Sequence, residues 1–233
     1  MNILKEKTMN APKFMIYGLA GIGKTTLASQ LDKCLIIDIE GGANFLDVPR
    51  TEQITNLETF YSCLTEIYKS EKKEFDNIVI DSADWLVRLI VEKVANINKN
   101  NLEETLVKSN GGYGAGYQVM ENHIRTRLLP MLVALNKKGY GICLIAHADR
   151  KELLGEDGYN IEQIAPKIDQ RTMSVFVEWC DGVFYLKKNI SGDRVLQVES
   201  DNTALAKNRM NLTGEISLVE NNINDILKCK IKE

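Results

Sequence analysis

The chain has 233 residues, 44% of them hydrophobic and 26% charged, which suits one substantial core in a single soluble α/β domain. The net charge of −3 excludes bulk electrostatic attraction to nucleic acid as the basis of function, while leaving room for a local basic loop. Five scattered cysteines (Cys34, Cys63, Cys143, Cys180, Cys229) form no CxxC pair and lie away from His123 and His147, so a zinc site is not expected.

Such cysteines predict reduced core thiols and a cytoplasmic location. No apolar run is long enough to span a bilayer, and no membrane association is expected. Met1 to Asn10 is polar and charged, without a signal-peptide pattern.

In chain order, Phe14-Met15-Ile16-Tyr17 is a short apolar run that reads as a buried strand ending at Gly18. A glycine turn follows, then a helix from Lys24 to Leu31. Leu35 to Ile39 is a second buried strand ending at Glu40-Gly41-Gly42. Leu57 to Lys69 repeats apolar residues at helical spacing. Ile78-Val79-Ile80 is a third strand closed by Asp81, and Trp85 to Asn98 is again helical. Asn100 to Gln118 is polar with four glycines and reads as a flexible loop.

Val119 to Asn136 predicts a helix with a kink at Pro130. Ile142 to Ala146 is a fourth strand ending at His147, and Asp149 to Gln170 reads as charged and irregular. Met173 to Trp179 predicts a short helix. Val183 to Leu186 and Arg194 to Val198 predict a hairpin around Ser191-Gly192. Alternating strands and helices imply a mostly parallel sheet flanked by helices. The division expected is a tail over 1–11, one α/β domain over 12–220 and a helical tail over 221–233.

Gly18-Leu19-Ala20-Gly21-Ile22-Gly23-Lys24-Thr25 matches GxxxxGK[ST] in full and lies between a strand and a helix. The glycines let backbone N–H groups turn inward on phosphates, and the helix N-terminus faces the same anion. The expected nucleotide contacts are Gly18, Gly21, Ile22, Gly23, Lys24, Thr25 and Thr26, and the expected ligand is ATP with Mg²⁺. Lys24 would reach the β- and γ-phosphates, and Thr25 would bind the metal.

Ligands of open α/β sheets sit at the carboxyl ends of the strands. Three polar residues occupy such ends. Asp81 fits a metal-holding carboxylate, Glu40 a general base for the attacking water, and His147 a donor to the γ-phosphate. Each also has a plainer reading: Asp81 as a turn cap, Glu40 as a solvent-exposed carboxylate before Gly41-Gly42, and His147 as a strand cap.

Together these residues resemble the RecA-like ATPases, nearest to the small phage members associated with single-strand annealing and recombination. The resemblance spans roughly residues 12 to 215. It rests on the phosphate loop, Ile37-Asp38-Ile39-Glu40-Gly41-Gly42, Ile80-Asp81-Ser82, Leu144-Ile145-Ala146-His147, and Ala206-Lys207-Asn208-Arg209. The last is similar to the Lys-x-Arg of DnaB-type helicases, and implies that Arg209, and less strongly Lys207, reaches a neighbouring subunit's ATP.

The resemblance also implies single-stranded DNA as a partner, a ring or short filament of identical subunits, and a single-strand-binding protein as a further partner in the host cytoplasm. By position, its two DNA loops would be 109–118, with Tyr113 and Tyr117, and 151–170, with Arg150, Lys151, Lys167 and Arg171 in or beside it. Acidic residues interleave the second loop, which is not a net-basic patch. Two other readings stay open: a small-molecule kinase, against which stands the lack of an arginine-rich lid after the fourth strand, and a nucleotide-switched binding module with negligible turnover.

Overall fold

The computed structural model describes residues 11–95, 102–154, 158 and 160–228. Residues 1–10, the end of the helix expected to reach Asn98, Gly155, Glu156, Asp157 and Cys229 lie outside the described residues.

Five parallel strands form the centre: β1 (Lys13–Gly18), β2 (Cys34–Asp38), β3 (Asn77–Asp81), β4 (Gly141–Leu154) and β6 (Gly182–Lys188), in the order β2-β3-β4-β1-β6. Their inner residues alternate between two cores. Met15, Tyr17, Ile37, Ile78, Ile80 and Leu144 face one; Phe14, Ile16, Ile36, Val79, Cys143 and Ile145 face the other. Both faces are covered, which is why these strands read as unbroken apolar runs rather than alternating ones.

The first face packs against α2 (Leu57–Lys69), α3 (Ala83–Ala95), α5 (Ala115–His123), α6 (Leu129–Lys137) and α7 (Gln170–Trp179). The second packs against α1 (Lys24–Ala28) and α8 (Ile223–Leu227), the latter through buried Ile223 and Ile226. The helix starts are capped where the sequence offers short polar side chains: Asn56 accepts from Thr59 N–H at 2.8 Å and Asp169 from Arg171 N–H and Thr172 N–H.

Beyond β6 the sheet turns antiparallel, through β7 (Arg194–Gln197) and β9 (Glu215–Ser217), while β8 (Lys207–Asn208) pairs with the start of β6. The expected mostly parallel sheet flanked by helices and its C-terminal hairpin are therefore present.

Three expectations need correction. The helix after the phosphate loop ends at Ala28, because the chain turns at Lys33, φ 43°, to enter β2. The stretch expected as a loop over 100–118 holds α4 (Leu102–Lys108) and the start of α5, joined by a tight glycine turn at Gly111, Gly112 and Gly114. The stretch over 149–170 is no irregular loop. β4 runs on to Leu154 and pairs antiparallel with β5 (Asn160–Pro166), Ala148 opposite Pro166. Charges masked this ribbon because parts of it face solvent, where Arg150 pairs with Glu162 at 3.5 Å across the strands.

The expected helix from Val119 to Asn136 is present in three pieces around Pro130. A π-helical segment over Ile124–Leu128 leads into α6, with the proline in its first turn. Pro130 offers no N–H to the carbonyl four residues back, and the wider turn takes up that mismatch.

One buried side chain ties the sheet to the ribbon and the C-terminal segment. Tyr17 Oη lies 2.5 Å from the carbonyl oxygen of Leu205 and 3.0 Å from that of Ile164, so its one hydrogen is directed at this pair of acceptors, the nearer being Leu205 O. Replacing Tyr17 with Phe strands the Leu205 carbonyl, while Ile164 O keeps the Leu205 N–H, and should cost about 1–3 kcal/mol of unfolding free energy in a urea titration. An unchanged midpoint would mean that water replaces the hydroxyl.

Candidate functional site

The phosphate loop leaves β1 at Gly18 and closes at Gly23, which has φ 100° and caps α1. Gly18 is required by contact and Gly23 by its left-handed backbone. A Cβ on Gly18 would lie 2.6 Å from the Leu186 carbonyl oxygen, and one on Gly23 would lie 2.6 Å from Nη1 of Arg194. Gly21 is also left-handed, Ile22 N–H donates to Leu19 O at 3.3 Å to tighten the turn, and Thr26 is exposed in the first turn of α1. Lys24 is buried, and its ammonium donates back to the carbonyls of Gly18 (3.1 Å) and Leu19 (3.0 Å).

Thr25 and Asp81 come together directly: the hydroxyl donates to Asp81 Oδ2 at 2.8 Å. Burial pushes the Asp81 carboxyl up to about 6, opposed by the Thr25 hydrogen bond and aided by Glu40 and Asp38. Burial also lowers Lys24 below its ordinary value, against the pull of Glu40, Asp81 and Asp84.

The end of β2 hooks onto the end of β3. Ile39 N–H and Glu40 N–H both donate to Asp81 O, at 2.7 and 3.1 Å. Asp38, almost fully buried, accepts from Gly41 N–H (2.6 Å) and Ala43 N–H (3.3 Å) and so holds the turn that presents Glu40. Glu40 Oε1 lies 3.4 Å from Nε2 of His147, which stands level with Gly18 on the neighbouring strand. On its other side, His147 meets Asp84 from the first turn of α3: Nδ1 is 3.0 Å from Oδ2, and the main-chain N–H donates to Oδ1 at 3.2 Å.

Glu40, Asp81, His147, Lys24 and Thr25 thus share one end of the sheet, joined by three residues that the sequence pattern did not single out: Asp38, Asp84 and Arg194. Asp84 lies three positions beyond Asp81, in the first turn of α3. That spacing from a strand-ending Asp was its only signal.

Lys207 and Arg209 lie elsewhere. β8 pairs with Gly182 and Val183, at the start of β6, whereas Leu186 faces Gly18. Val183 is three residues and Gly182 four from Leu186, which puts β8 about 10–13 Å further down the sheet. There the Lys207 ammonium donates to the carbonyls of Val177 and Glu178, and Arg209 lies 3.9 Å from Asp181. Neither cation belongs to this chain's own phosphate site.

The six residues expected to meet DNA divide as well. Tyr117, Lys167 and Arg171 line a cavity of about 580 Å³ with Arg88 and Asp84, and Arg171 lies over the Tyr117 ring at 5.6 Å. Tyr113 is fully exposed and does not line that cavity, Arg150 is paired with Glu162, and the Lys151 ammonium donates to Ile168 O.

The donor set fits the expected ligands. A hydroxyl beside a carboxylate is the oxygen pair that Mg²⁺ prefers, and Gly18 and Gly23 keep the loop free of side chains. Phosphate loop, paired Thr25 and Asp81, and parallel sheet define a P-loop NTPase. The chain belongs to the AAA_24 family, whose model, described as an AAA domain, matches residues 10–210. No curated protein matches it. Among solved structures, the crystal structure of the RadB recombinase is similar at 17% identity over 81% of each chain, with a TM-score of 0.45. Among the described residues, no helix is long and apolar enough to cross a membrane.

The raised Asp81 carboxyl gives a pH signature. The folded protein holds this proton more tightly than the unfolded chain, so Asp81 lowers the stability of the nucleotide-free protein as pH rises from 3.8 through about 6. Asp81→Asn removes that loss. Without Mg²⁺ and nucleotide, the variant should have a higher unfolding free energy than the parent at pH 7 in a urea titration, by up to about 3 kcal/mol, and the gap should close near pH 4. A pH-independent difference would contradict the assignment.

Proposed function

We propose that the protein hydrolyses ATP and couples that reaction to single-stranded DNA in phage-type recombination. The observation that supports this most is the meeting of Thr25 with Asp81 at 2.8 Å, with Glu40 and His147 on the adjoining strand ends.

In this reading the loop amides from Gly18 to Thr26 cradle the phosphates. Lys24 gives up its two carbonyl contacts to reach the β- and γ-phosphates. Thr25 and Asp81 would hold Mg²⁺, which supplies charge neutralisation for the phosphates. Glu40 takes the proton of the attacking water; oxygen bonds to the γ-phosphorus as its bond to the bridging oxygen breaks, and ADP leaves. His147 reads the γ-phosphate and passes its state into the β4–β5 ribbon, which begins at the next residue, Ala148.

Tyr117, Lys167 and Arg171 are the residues best gathered to take DNA, since they line one cavity, whereas Tyr113, Arg150 and Lys151 would act at its edges. Arg209, with Lys207, would serve a neighbour's ATP in a ring or short filament. Their distance from this chain's own phosphate loop is consistent with a role in trans. A single-strand-binding protein is the further partner in this reading, and the host cytoplasm the setting. A kinase is disfavoured by the end of β4, which extends into a two-stranded ribbon with β5 in place of an arginine-rich lid.

Phosphate release tests this directly. The parent should hydrolyse ATP, faster with single-stranded DNA. Glu40→Gln should retain ATP binding and lose hydrolysis by roughly a hundredfold or more, the upper range for a general base. Hydrolysis indifferent to DNA would remove the DNA coupling. A slow rate unchanged by Glu40→Gln would favour the switch reading.

A further inference from the structure

The Asp84–His147 contact goes beyond a cap on a strand end. Asp84 receives two hydrogen bonds from one residue, from the main-chain N–H of His147 and from its Nδ1. It is nearly buried, with a side chain 10% exposed against 21% for His147. Two anchors on one carboxylate fix both the strand end and the plane of the ring. They also decide which ring nitrogen carries hydrogen. A carboxylate only accepts, so Nδ1 must be the N–H nitrogen, and Nε2 is the one turned toward Glu40 Oε1 at 3.4 Å.

We propose that Asp84 is a positioning residue for the nucleotide reaction: it holds Nδ1 protonated so that His147 can carry a second proton on Nε2 and present a cationic donor between Glu40 and the γ-phosphate. This rests on the reading that His147 meets that phosphate. The logic is that of an acid–imidazole pair, in which the carboxylate orients the ring and supports its positive form without giving up its own charge. A neutral ring held through Nδ1–H would instead turn a lone pair toward the phosphate and repel it.

Asp84 also lines the cavity that holds Arg88, Lys167 and Arg171. The group that orients the ring thus stands between the phosphate site and that cavity.

Asp84→Asn tests the idea with almost no change of shape. The amide oxygen can still accept the His147 main-chain N–H. Its NH₂ now donates to Nδ1, which forces the single ring proton onto Nε2 and forbids the doubly protonated ring. The chain has only two histidines, so ¹⁵N NMR of labelled protein resolves His147 against His123 as an internal control.

Expected are Nδ1–H in the nucleotide-free parent, the opposite tautomer in Asp84→Asn, and a kcat lower by roughly tenfold or more with ATP affinity within about twofold. A parent His147 protonated on Nε2 alone overturns the proposal even if the variant fails to fold. So does an inverted tautomer with unchanged kcat. Equal losses of ATP binding, kcat and thermal stability would reduce Asp84 to a structural cap. Absence of hydrolysis in the parent itself would instead count against the ATPase reading, and would leave the tautomer result standing.

Discussion

Everything at the site depends on the register of the parallel strands. Gly18 is level with His147, Asp38 with Asp81, and Asp81 with Ile145, so four strand ends finish at nearly the same height. That register is held by burial on both faces: Ile80 belongs to one core and Val79 to the other. A slip by one residue would exchange the two sets. It would also move Asp81 away from Thr25. Because β4 lies between β1 and β3, His147 is delivered between the phosphate loop and the carboxylate that faces it.

The gathered charges oppose one another. Asp38 and Asp81 are buried, Glu40 and Asp84 stand close by, and Lys24 is the buried cation among them. Asp81 is pushed toward its neutral form and Lys24 away from its charged one. A polyphosphate with a divalent cation would satisfy both, giving Lys24 an anion and Asp81 a cation. The loop in turn needs its glycines, since the Leu186 carbonyl occupies the space a side chain on Gly18 would fill and Gly23 is left-handed at φ 100°.

The sequence was most legible where chemistry and backbone geometry coincide. A full GxxxxGK[ST] run marks its own turn, and apolar strands ending in Asp81, Glu40 and His147 mark the right edge of the sheet. Asp84 was not legible, because an Asp in the first turn of a helix is ordinary and only the fold brings it to His147. Arg194 sits on a strand distant in sequence, and its closeness to Gly23 depends on β6 and β7 packing beside β1.

Over 100–118 and 149–170, composition points away from the fold for a common reason. Glycines and charges report local turns and solvent exposure, while α4, α5 and the β4–β5 ribbon are fixed by contacts that composition does not encode. Lys207 and Arg209 were found as a motif, but their place at the far end of β6 comes from the pairing of β8.

The central claim is that these strand ends form one site for a nucleoside triphosphate with Mg²⁺. Titration calorimetry of ATP into the protein, with and without Mg²⁺ and alongside Lys24→Ala, tests it most directly. The account predicts one nucleotide per chain, bound more weakly without the metal and lost in the variant. Absence of binding, or binding unchanged by Lys24→Ala, would contradict it.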